Sequence, residues 1–252
     1  MKKHNRYLIA TALLSVLLLA SCGNKNNITI EGTLDNGAGK TIYIEEMSPE
    51  STIFLDSVTL DKKGHFKFRY HMPYKTFYTV HVSDVDYVVL LPDEGTTISM
   101  TGSFDSLSLT YRIQGNDDSQ LLWQLQDYTN IGTRALRQIV AIDSHNQQLL
   151  AQGEISQQQY DLAHDYTDSL YLATFSEQQQ YVVRFIEDNL GSLATLIALY
   201  KPFNNRPLIN PEDSFEFYEG VLEGLEAYLP DNPHTLSFKN LVEHTRFQYA
   251  RQ

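Results

Sequence analysis

The sequence contains one cysteine, Cys22, in 252 residues. No disulfide can form within the chain and no Cys-x-x-Cys pair exists. Dithiol redox chemistry and cysteine-cluster metal sites are therefore excluded. Basic residues are also scarce: 19 Lys and Arg stand against 31 Asp and Glu, a formal charge of −12. That balance argues against partnership with nucleic acid or with anionic lipid headgroups. Long apolar runs are nearly absent. The one candidate, Tyr7 to Ala20, is about 14 residues, short of the ~18–20 that a membrane-spanning helix needs. Tryptophan occurs once, at Trp123, but 16 Tyr and 12 Phe within a 42% hydrophobic composition suffice for a real core.

The apolar run has a basic start, Lys2, Lys3 and Arg6, and ends in Leu19-Ala20-Ser21-Cys22. A basic segment, a short apolar segment and small residues at its end describe a secretory signal. The last four residues resemble the bacterial lipobox, in which the cysteine receives a diacylglyceryl group and becomes the first residue of the mature chain. The resemblance implies a signal peptide over 1–21 and lipidation at Cys22. Two or three acyl chains, at ~0.8 kcal/mol per buried methylene, hold a protein to a bilayer stably where one does not. The partner so implied is a membrane, reached through a lipid anchor. Residues 22–27 then read as a polar tether. The tether lacks the acidic run that marks some lipoproteins for surface export, so by analogy the expected location is the periplasmic face of the outer membrane. Removal of 1–21 would leave 231 residues with 16 basic against 31 acidic side chains, a net charge of −15.

Residues 28–114 carry strand signals. ITIEGTL (28–34), TIYIEE (41–46), IFLDSVTL (53–60), HFKFRY (65–70), TFYTVHV (76–82), DYVVLL (86–91), TISMTG (97–102) and LSLTYRI (107–113) are short, mostly alternating, and separated by turns such as DKKG and PDEG. Eight closely spaced strands without helix-length connections predict an antiparallel β-sandwich or an open barrel. At QGNDDSQ (114–120) the apolar period changes from two to that of a helix. The spacing predicts helices over about 118–151, 157–188 with Ser156 as N-cap, a short LATLIALY helix stopped by Pro202, 211–228 and 234–249. Asn210-Pro211 and Asn232-Pro233 both read as a capping Asn followed by Pro at the first helical position. The predicted class is α+β, with β over 28–114 and helices over 115–252. Trp123 is expected at the seam where the first long helix meets the strands.

Candidates for chemistry are weak. Asp35-Asn36-Gly37-Ala38-Gly39-Lys40-Thr41 looks like a phosphate-binding loop, but the glycine required five residues before Gly39 is Leu34, and a strand follows instead of a helix. A hairpin turn is the expectation there. The eight histidines, at 4, 65, 71, 81, 145, 164, 234 and 244, form no metal-binding spacing. No G-x-S-x-G elbow is present, and Ser57 and Ser103 have no base nearby in sequence. The acid pairs Glu45-Glu46, Asp117-Asp118, Glu187-Asp188 and Glu212-Asp213 read mainly as helix-terminal or solvated groups; Asp117-Asp118 and Glu212-Asp213 are placed in the first turns of helices. Tyr74, Phe77, Tyr78 and Tyr87 could line a carbohydrate or peptide platform, or fill the sandwich core. No catalytic residue, cofactor site or metal site is assigned.

Leu55-Asp56-Ser57-Val58, Gly64-x-Phe66-x-Phe68 and Phe185-Ile186-Glu187-Asp188-Asn189, in this order and with LLPDEGTTISMTG and RIQGN between them, resemble the N-terminal domain of unknown function in envelope lipoproteins of the TlpA type. The resemblance covers about residues 27–245. In that family a thioredoxin-like domain with a W-C-x-x-C motif follows. With no Cys-x-x-Cys, the family's redox residues have no positions here, so the resemblance implies the accessory module without the redox domain. The leading expectation is a non-catalytic envelope lipoprotein that binds a ligand or a periplasmic protein. The others are an accessory to a separate thioredoxin-like system and a cysteine-independent hydrolase using dispersed carboxylates.

Overall fold

The computed structural model describes residues 27–249; the expected signal segment, 1–21, and Cys22 lie outside the described residues. The fold is α+β: eight strands in two four-stranded sheets, followed by helices. The strands are β1 (Asn27–Asp35), β2 (Thr41–Met47), β3 (Thr52–Thr59), β4 (His65–His71), β5 (Phe77–Ser83), β6 (Asp86–Leu90), β7 (Thr97–Ser103) and β8 (Arg112–Gln114). Sheet I has the order β4-β1-β7-β8 and sheet II the order β3-β2-β5-β6. β1 begins at Asn27, opposite His71, so the last residue of the expected tether is already paired.

The alternation read in the sequence selects the inner faces. Ile28, Ile30, Phe66, Phe68, Ile98 and Met100 of sheet I meet Ile42, Ile44, Tyr78, Val80, Val88 and Leu90 of sheet II in one buried cluster. Each such side chain contributes about 2 kcal/mol on leaving water. The result is a sandwich, not a barrel. Its strands are antiparallel except that β1 and β7 run parallel, Ile30 opposite Ile98. The chain crosses between sheets four times to reach β7, which returns to sheet I on the side of β1 away from β4.

Two expectations fail here. Residues 36–40 form a turn, with Asn36 and Gly39 at positive φ, but it is not a hairpin: β1 and β2 belong to different sheets. Residues 107–113 are not a continuous strand. A 3-10 turn (Phe104–Ser106) and the short helix α1 (Leu107–Thr110) precede β8. Asp86 holds that helix by accepting from the backbone N–H groups of Leu107 and Ser108 at 2.9 and 2.7 Å. Leu107, Tyr111 and Ile113 are buried as the alternation predicts, while Leu109, on the same face of a strand, is turned outward by the helical turn.

The helices are α2 (Asp117–Ala151), α3 (Gln157–Asp188), α4 (Ala194–Leu199), α5 (Phe215–Tyr228) and α6 (Pro233–Tyr249). Asn116 caps α2, its Oδ1 accepting from the Ser119 N–H at 2.8 Å. Ser156 and Gln159 form a reciprocal capping box on α3. α2 and α3 pair as a long hairpin, with Tyr128 stacked on Tyr181 at 3.7 Å between ring centroids. Between residues 133 and 166 no residue of this hairpin is buried. Asn232 opens α6 as expected, its Oδ1 accepting from His234 N–H. Asn210 does not open α5. It anchors a turn, and the helix starts at Phe215, so Glu212 and Asp213 precede the helix. After α4 a two-stranded ribbon, β9 (Pro202–Phe203) and β10 (Arg206–Pro207), turns through Asn204 and Asn205, both at positive φ. No described helix is long and apolar enough to cross a membrane.

The helices pack on the outward side of sheet II. Phe77 and Leu91 belong to the helical core, with Met47 and Val89 packed against it. Phe77 and Tyr78, adjacent in β5, thus enter different cores. Polar contacts fix the layers. Leu91 N–H donates to Ser119 Oγ at 3.0 Å, and Asn232 Nδ2 donates to the carbonyl of Lys75 at 2.8 Å. Trp123 sits at the seam: it packs against the sandwich cluster, and its indole N–H donates to the Tyr111 carbonyl at 3.0 Å.

Candidate functional site

The helices cover only part of sheet II, and the uncovered part opens into a two-lobed cleft. The inner lobe, about 420 Å³, lies between β6, α1, α2 and α4. Its walls are mostly apolar, from Val89, Leu122, Leu125 and Ile197. Its polar groups are Ser108, Gln126, Thr129 and Lys201. Lys201 follows α4, its N–H donating to the Ala198 carbonyl at 3.1 Å and its own carbonyl accepting from Leu208 N–H at 3.0 Å. The backbone is thereby fixed and the side chain directed at α2, where Nζ donates to Gln126 Oε1 at 2.8 Å. Gln126 in turn donates to Asn130 Oδ1 at 2.9 Å, and Asn130 to the Ser108 carbonyl at 3.2 Å. Burial pushes the Lys201 ammonium down to about 8. No described carboxylate pairs with it.

The outer lobe, about 480 Å³, lies on the face of sheet II beyond the helices, and Met47 and Tyr87 line both lobes. Its lining includes Glu45, Phe54, Thr79 and His81. Both register breaks of sheet II fall at lining residues, one at Ile44/Glu45 opposite Asp56/Phe54 and one at His81/Ser83. Bulges of this kind re-aim side chains next to sites. The Thr79 hydroxyl, in a residue only 8% exposed, is buried without a hydrogen-bond partner, and so is His81 Nε2. The nearest carboxylate oxygen to that nitrogen, Glu45 Oε1, is 3.6 Å away, too far for a hydrogen bond. The His81 ring stacks on Tyr43 at 5.2 Å. Buried polar groups are ordinarily paired, and the residues of these two unpaired atoms line one concavity.

Of the residues singled out in the sequence, Glu45, His81 and Tyr87 line the outer lobe; the others lie elsewhere. Cys22 falls outside the described residues. In the loop that mimics a phosphate site, Lys40 Nζ pairs with Asp105 at 2.9 Å. His65 and His71 stand at opposite ends of β4 in sheet I, and His81 is in sheet II. Among the described residues no group of three His, Cys, Asp or Glu could hold a metal ion. His164 on α3 pairs with Asp143 on α2 at 2.8 Å and lies 3.8 Å from Asp168. Ser57 is on edge strand β3 and Ser103 ends β7; no described serine is hydrogen-bonded to a histidine. Of the four aromatic candidates only Tyr87 lines the cleft; Phe77 and Tyr78 are core, and the Tyr74 hydroxyl donates to Glu46 at 3.0 Å. The sequence reading missed Lys201, Gln126, Thr79 and His81 as a set. Thr79 and His81 share one face of β5 at strand spacing, but Gln126 on α2 and Lys201 after α4 lie far from them in the chain, and no local spacing connects the set.

Residues 28–122 match a family model described as Domain of unknown function (DUF4369). The match spans the sandwich, ends within the first two turns of α2, and stops at Leu122, a wall of the inner lobe. No curated protein and no solved structure matches the chain.

Proposed function

We propose that this protein is a lipid-anchored binding module of the cell envelope, without catalytic activity of its own, and that the cleft on sheet II takes a small ligand. Cys22 carries the diacylglyceryl anchor, and the short segment to Asn27 holds the sandwich close to the periplasmic face of the outer membrane. One observation carries the binding reading: Thr79 and His81 line the outer lobe while their Oγ1 and Nε2 lack hydrogen-bond partners, and a ligand that turns these side chains toward the lobe would supply the missing pairing. A pocket of several hundred Å³, mostly apolar with a few convergent polar groups, is the usual form of a small-molecule site. The test is a melting curve of the mature lipoprotein in mild detergent with and without a low-molecular-weight extract of the envelope. A ligand present at a hundred times its Kd stabilises by about 2.7 kcal/mol, a shift of several degrees. No shift with any extract fraction contradicts the reading.

A second reading, docking to a separate thioredoxin-like protein, is favoured by the distal part of the α2–α3 hairpin, where Val140, Leu162 and Tyr166 are exposed. Co-purification that is lost in a Leu162→Asp/Tyr166→Asp variant supports it; a pull-down free of thioredoxin-fold proteins counts against it.

A further inference from the structure

The inner lobe holds a cation that no described carboxylate neutralises. Lys201 Nζ has one protein hydrogen bond, to the neutral Gln126 amide, although the chain carries 31 acidic residues against 19 basic ones. The other enclosed lysine shows what the fold does when an ammonium ion is only structural: Lys75 is gripped by both Asp93 and Asp118. An ammonium has three donors, and in a lobe walled by Val89, Leu122, Leu125 and Ile197 few groups are there to take the remaining two. Lys201 is half-buried, and a charge partly withdrawn from water is stabilised when a counter-charge meets it. In this lobe an anion would meet the ammonium, and the anion's apolar remainder would meet the walls.

We propose that the inner lobe binds a small anionic amphiphile, a carboxylate with an aliphatic tail, with Lys201 taking the carboxylate and the aliphatic walls taking the tail. This rests on the cleft being a ligand site and goes further by assigning the ligand's charge and shape. Gln126 is the positioning residue. Its Oε1 orients the ammonium, and its Nε2 is committed to Asn130, which fixes which way the amide faces.

The experiment is isothermal titration of the mature lipoprotein, in a non-ionic detergent below its critical micelle concentration, with decanoate, decanol and decylamine. Decanoate is expected to bind at least tenfold more tightly than decanol, and decylamine not at all. Lys201→Gln is expected to bring decanoate down to the affinity of decanol, and Lys201→Arg to retain most of the preference. Equal binding of decanoate and decanol to the wild type, or an unchanged decanoate affinity in a Lys201→Gln protein with a normal melting curve, overturns the anion assignment while leaving the cleft a binding site. Binding of none of the three to the wild type, together with no melting shift from any envelope extract, overturns both.

Discussion

Nε2 of His234, at the start of α6, lies 2.9 Å from the Thr76 hydroxyl, 158 residues earlier in the chain. Both groups are buried, and the His234 ring meets Phe77 edge-on at 5.1 Å. The contact ties the last helix to the strand that carries Thr79 and His81.

Burial pushes the His234 pKa down to about 4 from 6.5. Between those values the unfolded chain takes up a proton that the folded one refuses, so stability falls as pH falls. Urea unfolding should show no cost from this group above pH 7. A loss should grow from about pH 6.5 and reach at most about 3 kcal/mol near pH 4. His234→Gln should remove that slope. A slope unchanged in the variant would assign the acid sensitivity to other groups.

Lys75 joins the turn before β7 to the start of α2. Its ammonium meets Asp93 at 2.5 Å and also Asp118, whose other oxygen accepts from Ser192 Oγ at 2.6 Å. Burial lowers the lysine's pKa, but the two carboxylates outweigh it and the net shift is upward. Lys75→Met leaves Asp118 without its counter-charge, and a loss of roughly 3 kcal/mol in urea unfolding is expected. Asp93 is half exposed, so Asp93→Asn should cost less than Asp118→Asn.

Two glycines separate backbone strain from steric contact. Gly39 and Gly64 have nearly the same φ, +74° and +78°. A Cβ at Gly39 meets nothing within 4 Å, whereas one at Gly64 falls 2.2 Å from the Leu34 carbonyl oxygen. Gly39→Ala should cost only the left-handed backbone penalty, about 1–2 kcal/mol. Gly64→Ala should cost clearly more, because Leu34 lies in β1 and must move with it. Equal costs in thermal unfolding would contradict the contact.

Cys22→Ser should leave the folded part unchanged and abolish the anchor. Labelling with radioactive palmitate should mark the wild type and not the variant, and the variant should leave the membrane fraction. Palmitate incorporation into Cys22→Ser would contradict the lipidation proposal.

Much of the fold was legible because periodicity reports burial. Ile28 and Ile30, Phe66 and Phe68, Ile98 and Met100 declare their inner face at period two, and Ser156 with Gln159 declares the start of α3. Sheet assignment was not legible. The DNG turn carries the same residues whether it closes a hairpin or carries the chain between sheets, and its partners are set by packing far away. Leu107 to Ile113 misled because the helical turn still buries Leu107, Tyr111 and Ile113 of the alternating set and turns only Leu109 outward. The cleft was least legible of all. Lys201 follows an apolar helix like any solvated terminal lysine. Its significance comes from the missing carboxylate, which only the placement of α2 against sheet II reveals.

The most direct measurement is non-denaturing mass spectrometry of the protein purified in mild detergent from its own cells. The account predicts a species heavier than the lipidated chain by one small molecule, released on denaturation. Recovery of only the lipidated chain's mass would contradict it.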